Sequence, residues 1–135
     1  MQTIRDCVAG LDVHRDVVLA CIRSSDGKRT RTTKRSFSTM TGSLVELAAW
    51  LVDNGVSTAV LESTGVYWRS VYYALEGKVL ELGLVNAMHV KRVPGRKTDV
   101  SDAEWLADVA AHGMVRPSYV PPPAIRALRE LTRYR

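Results

Sequence analysis

The sequence predicts an α/β fold: a mixed five-stranded sheet with helices on its faces. Two almost wholly apolar strand-like runs open the chain and an alternating polar run follows them. Later β-rich runs are separated by segments with helical apolar spacing, and glycines punctuate the boundaries. At 135 residues and 46% hydrophobic, the chain is long enough for one continuous core and too short for two independent ones.

Cys7 to Val13 reads as a central strand covered on both faces, and Val17 to Ile22 continues in the same style. His14-Arg15-Asp16 between them is short enough for a hairpin turn. Ser24-Ser25-Asp26-Gly27 is a second turn, so Thr30 to Ser38 completes a three-stranded antiparallel meander as a more exposed strand. A helix follows, with Ser43 and Glu46 spaced as a capping box and Leu44, Leu47, Ala48, Leu51 and Val52 at core spacing until Gly55. Ser57 to Leu61 forms a short strand ending at Glu62. Ser63-Thr64-Gly65 turns into a helix with Trp68, Val71, Tyr72 and Leu75 on one face, closed by Gly77, and Val79 to Val85 is a fifth strand. Right-handed crossovers place these later strands parallel to the first.

Past Val85 the chain is polar and irregular through Pro94-Gly95, then helical from near Asp99 to Ser101, with Ser101 and Glu104 spaced as another capping box. Ala103, Leu106, Ala107, Ala110 and Ala111 form the core face, and Gly113 ends the helix. Pro121-Pro122-Pro123 is a stiff break before a last helix with Ile125, Leu128 and Leu131 on one side and Arg126, Arg129 and Arg133 on the other. That helix reaches Arg135 without a stop signal, so the expectation is a domain over 1–120, followed over 121–135 by the start of a helical linker to a further C-terminal domain.

The formal net charge is +5, and its distribution is uneven. Basic groups cluster between Arg23 and Arg35, with Lys28 and Arg29 at the turn; at His89, Lys91, Arg92, Arg96 and Lys97; and at Arg126, Arg129, Arg133 and Arg135. A polyanionic partner fits this pattern, and so does an ordinary solvated surface. No run approaches the roughly 18 to 20 apolar residues of a membrane helix, and no signal peptide opens the chain, so a cytosolic protein without a membrane partner is expected. Cys7 and Cys21 fall in apolar strands and read as buried, reduced thiols.

Four acids stand out. Asp12 lies in an apolar central strand, where a carboxylate is desolvated unless a partner or a metal ion holds it, and Glu62 ends another apolar run. If the fourth strand pairs beside the first, both face one cleft at the strand ends. Asp99 and Asp102 are three residues apart at a helix start, on one face of one turn. Carboxylates suit Mg²⁺ or Mn²⁺, and paired ions stabilise the attacking and leaving oxygens of phosphoryl transfer. Each acid also has a plainer reading: Asp12 paired with Arg15, Glu62 capping the next turn, Asp99 and Asp102 as favourable charges at a helix N-terminus. His14 is on the strand face of Asp12 and reads most simply as a solvated or hydrogen-bonding residue. Among the aromatics, Trp68 and Tyr72 read as core, leaving Tyr67 and Tyr73 as candidates for stacking on bases.

Three motifs carry a resemblance: Gly10-Leu11-Asp12-Val13-His14, Leu61-Glu62-Ser63-Thr64-Gly65, and Lys97-Thr98-Asp99-Val100-Ser101-Asp102-Ala103. In order and spacing the chain resembles the DEDD-type transposases of bacterial insertion sequences, the "one-ten" group related to Holliday-junction resolvases of the RuvC kind. The resemblance runs along essentially the whole chain. It implies an RNase H-like (RuvC-like) fold, with Asp12, Glu62, Asp99 and Asp102 as catalytic carboxylates and ligands of Mg²⁺ or Mn²⁺. It also implies DNA strand cleavage and transfer guided by a structured RNA, in a homo-oligomeric complex, with a nucleophilic serine on a further C-terminal domain. Ser63 and Ser101 read as turn and cap residues, not as that serine. Phosphate contacts are expected from Lys28, Arg29, Lys91, Arg92, Arg96, Lys97, Arg126, Arg129 and Arg133.

Two other classes compete. A non-catalytic nucleic-acid-binding module would keep the fold and the basic surface and use the acids only structurally. A sugar-kinase or actin-type ATP-binding domain also opens with an apolar strand bearing an aspartate, but Asp12-Val13-His14-Arg15-Asp16 lacks the glycine for close phosphate approach. A DEDD exonuclease carries an acid where this chain has His14.

Overall fold

In the computed structural model, the described residues are 7–63, 65–85 and 102–111. Strands β1 (Cys7–Val13), β2 (Val17–Ser25) and β3 (Thr30–Ser38) lead into helix α1 (Thr41–Asp53). Strand β4 (Thr58–Ser63), helix α2 (Trp68–Leu75), strand β5 (Glu81–Val85) and helix α3 (Asp102–Ala111) follow. The strands form one sheet in the order β3-β2-β1-β4-β5. β1 pairs antiparallel with β2 and β2 antiparallel with β3, whereas β4 is parallel to both β1 and β5. The expected mixed sheet is present, and β1, apolar except for Asp12, occupies the centre.

Strand alternation sorts β1 onto two faces. Ala9, Leu11 and Val13 join Val18, Ala20, Ile22, Phe37, Ala59 and Leu61 in the main core against α1 and α2. Val8 on the other face packs with Cys21, Ala103, Ala107 and Ala111, so α3 covers that side alone among the described helices. The strand starts are held level by Ser57, whose N–H and hydroxyl both donate to Cys7 O at 3.1 Å, while Glu81 N–H donates to Ser57 O at 2.9 Å.

Several local expectations need correction. α1 begins at Thr41 with Met40 as its N-cap and no side-chain cap bond, so the Ser43/Glu46 box does not form; the Ser38 hydroxyl donates to Ser43 Oγ at 2.8 Å instead. Val52 is exposed because it falls outside the stripe of Leu44, Leu47, Ala48 and Leu51. Trp68 is half-buried, stacked edge-on against Tyr72 and Tyr73, while Val71, Tyr72 and Leu75 are the buried residues of α2. Cys7 is only partly buried, donating to Asn54 O at 3.3 Å; both cysteines are free thiols. β2 extends to Ser25, and the following turn is closed by Asp26 Oδ1, which accepts from the N–H of Lys28 and of Arg29 at 3.0 and 2.8 Å. Those two bonds hold the Asp26 carboxyl below its ordinary pKa. The expected cap at Ser101, the break at Pro121 and the last helix lie outside the described residues.

Candidate metal centre

β1 and β4 run parallel in a register that sets Asp12 beside Glu62. Lateral neighbours in a sheet share a face, about 4.8 Å apart across the strands. The face is that of Val8 and Gly10, the one α3 covers. Asp12 is 9% exposed, and Glu62 is half-buried with its Oε2 shielded from solvent. Two carboxylates so placed, both ionised, repel by about 3 kcal/mol at an effective dielectric constant of about 20, and a cation between them removes that cost.

The direction of α3 brings its start to the same end of the sheet. Lys34, opposite Cys21 and hence level with Gly10, pairs with Glu104. Arg23, opposite Val8, pairs with Asp108 at 3.4 Å. Advancing along α3 therefore means retreating along β1, and the helix starts at Asp102 near the level of Asp12. Gly10 makes the close approach possible: a Cβ there would lie 2.5 Å from Ala107 N and closer still to Ala103 O. The helix rests backbone to backbone on β1, ending just short of the carboxylate row.

His14 Nε2 lies 3.0 Å from Asp12 Oδ2. Of the two readings open to this histidine, solvation and hydrogen bonding, the second holds: it is a hydrogen-bonding partner of the first acid, one residue past the end of β1. Arg15, considered as a partner for Asp12, instead lies 4.0 Å from Asp16. The β1–β2 turn is itself anchored, since Thr39 Oγ1 donates to Arg15 O at 2.9 Å and Thr39 N–H to Asp16 O at 3.3 Å.

Of the four expected acids, the structure brings Asp12 and Glu62 together and places Asp102 at the first position of α3; Asp99 lies outside the described residues. Among the described residues no group of three or more His, Cys, Asp or Glu is gathered tightly enough to hold a metal ion. The all-oxygen pair is nonetheless the donor chemistry a hard divalent cation takes. Lys28 and Arg29 are exposed at the β2–β3 turn, the opposite end of the sheet, about 20 Å along the strands from Asp12. Lys91, Arg92, Arg96, Lys97, Arg126, Arg129 and Arg133 lie outside the described residues. Tyr67 and Tyr73 are exposed. Leu19, beside Asp12 on β2, is an exposed residue that apolar patterning had marked as core; only its position beyond the start of α3 explains it. Among the described residues no helix is long and apolar enough to cross a membrane.

Comparison with solved structures gives the same architecture. The RuvC structure of Thermus thermophilus aligns with a TM-score of 0.59 at 14% identity, over 83% of this chain and 99% of that one. T. thermophilus RuvC in complex with a Holliday junction substrate aligns with a TM-score of 0.54 at 12% identity, over 84% of this chain and 100% of that one. At these identities the likeness establishes the RNase H-like fold. No curated protein sequence matches the chain. The IS110 model of DEDD transposases, described as transposase, matches residues 9–135. A match over nearly the whole chain, on a RuvC-like sheet that sets Asp12 beside Glu62, establishes that the chain belongs to the IS110 family of DEDD transposases.

Proposed function

We propose that this domain cleaves and transfers DNA strands at a divalent-metal site formed by Asp12, Glu62, Asp99 and Asp102. The observation that carries the reading is the register of β1 and β4, which sets a buried and a half-buried carboxylate side by side at the level where α3 begins. Asp12 and Glu62 hold the ion from the sheet; Asp102 and Asp99 complete the ligand set from the start of α3 and the segment before it. When bound, Mg²⁺ or Mn²⁺ supplies charge stabilisation to the phosphoryl oxygens and lowers the pKa of bound water. The chain's own part is to fix the carboxylates. β1 is clamped between two helical layers, and His14 holds Oδ2 of Asp12. DNA is the substrate class that the family and the likeness to a junction-bound RuvC support. A structured guide RNA, a homo-oligomeric assembly and a serine-bearing C-terminal domain are what the family resemblance implies, and the role of 121–135 as a linker is proposed from the Pro121-Pro122-Pro123 break and the helical pattern after it. A purely structural role for the acids is the competing reading.

The test is a Mn²⁺ titration of the chain followed by electron paramagnetic resonance, with Asp12→Asn, Glu62→Gln and Asp99→Asn as paired variants. Each substitution is expected to weaken Mn²⁺ binding at least tenfold with the fold intact by circular dichroism. Native affinity in all three variants would leave the acids with a structural role only.

A further inference from the structure

We infer that the groove between β2, β3 and the start of α3, one strand over from Asp12, is the seat of the DNA nucleotide flanking the reacting phosphate. This inference rests on the metal-site reading above and adds the direction in which the substrate strand leaves it. The row of residues level with the acids runs Ser36, Leu19, Asp12, Glu62, Val85 across the five strands, all on the α3 face. Its two ends differ. At the β5 end Val85 is 3% exposed. Beyond Asp12 the row is open: Leu19 is 38% exposed and Ser36 is exposed. One row further in, beneath α3, Cys21 and Gly10 are buried.

A groove of about 340 Å³ occupies the open end, lined by Leu19, Lys34, Ser36 and Ala103 among others. That is the small end of the range for ligand-sized clefts. Its chemistry alternates as a nucleotide does. Leu19 offers an apolar surface to a deoxyribose or base face, Ser36 a hydroxyl, and the Lys34 ammonium a charge. Lys34 is already tied to Glu104 at the helix start, which holds the ammonium at the groove while leaving it further donors for a phosphate. A strand lying on the acids therefore meets a complementary channel toward β3.

The experiment measures fluorescence anisotropy of a labelled single-stranded DNA oligonucleotide with the chain in Ca²⁺, alongside Mn²⁺ affinity. Ser36→Glu puts one negative charge in the groove, two strand spacings from Asp12. Val45→Glu makes the same charge change at an exposed site of α1, on the opposite face. Ser36→Glu is expected to weaken DNA binding about tenfold and Leu19→Ser about fivefold, while Val45→Glu stays within twofold of the parent. Mn²⁺ affinity should stay within about twofold for Ser36→Glu and Leu19→Ser. Equal affinities for Ser36→Glu and Val45→Glu would overturn the inference, as would a parent chain that binds no DNA or binds RNA of the same sequence more tightly. If Mn²⁺ binding survives Asp12→Asn, Glu62→Gln and Asp99→Asn alike, the metal-site reading fails, whatever the groove does.

Discussion

Gly10 shows how much a single residue can decide. Glycine inside a buried strand is ordinarily a weak point, yet here any side chain would strike the backbone of α3 at Ala103 and Ala107, which cannot swing aside as a side chain would. Gly10→Ala is expected to lower stability by about 3 kcal/mol in urea denaturation and to weaken Mn²⁺ binding, because lifting α3 moves Asp102 away from the row of Asp12. Gly42→Ala on α1, where an added Cβ meets nothing, should instead be neutral or stabilising by about 0.5 kcal/mol. Equal effects of the two substitutions would mean that α3 does not need its close seat. Asp12 was legible from the sequence because burial of a carboxylate in an apolar run is costly wherever the strand lies. The bond to His14 was not, since alternation says only that two side chains share a face and not how the turn after them bends.

At the scale of elements, the strands and helices were readable because each carries a full period of apolar spacing, and the errors gather at their ends. The Ser43/Glu46 box fits the capping pattern but loses to the turn before it, where Ser38 takes the Ser43 hydroxyl and the helix starts at Thr41. Packing of α3 on β2 has a measurable signature in Cys21, which lies wholly buried beneath the helix. Burial, aided by the negative charge of Glu104, pushes its thiol up from 9.0 to about 11. A group whose folded pKa is raised contributes stability that is full below the unfolded value and is lost as pH climbs through the folded one. Stability should therefore fall between pH 9 and about 11. Cys21→Ala should remove that part of the decline when urea midpoints are compared at pH 8.5 and pH 10.5. An unchanged difference between the two pH values would mean that α3 does not seal the thiol.

For the whole molecule, the proposed metal site sets the demands of folding against those of function at one row of the sheet. The sequence was enough to name the sheet and to expect Asp12 beside Glu62, because burial pattern and topology rules constrain strands strongly. It was less informative about where basic groups lie relative to those acids: Lys28 and Arg29 belong to the far end, a matter of strand length that charge counting does not see. If the carboxylates are placed for a cation, the metal-free fold bears their repulsion and should gain by losing one. Asp12→Asn is then expected to raise the thermal midpoint in EDTA by a few degrees, a gain of about 1 kcal/mol. The parent should respond oppositely to metal. At Mn²⁺ about 100-fold above its dissociation constant the fold gains about 2.7 kcal/mol, or roughly 10 °C for a domain of this size, and Asp12→Asn should show almost none of that rise. Scanning calorimetry of both proteins with and without Mn²⁺ reads the two effects together. A loss of stability in metal-free Asp12→Asn would mean that its partners within the fold, His14 foremost, outweigh the repulsion, and that the carboxylate serves the structure before any ion.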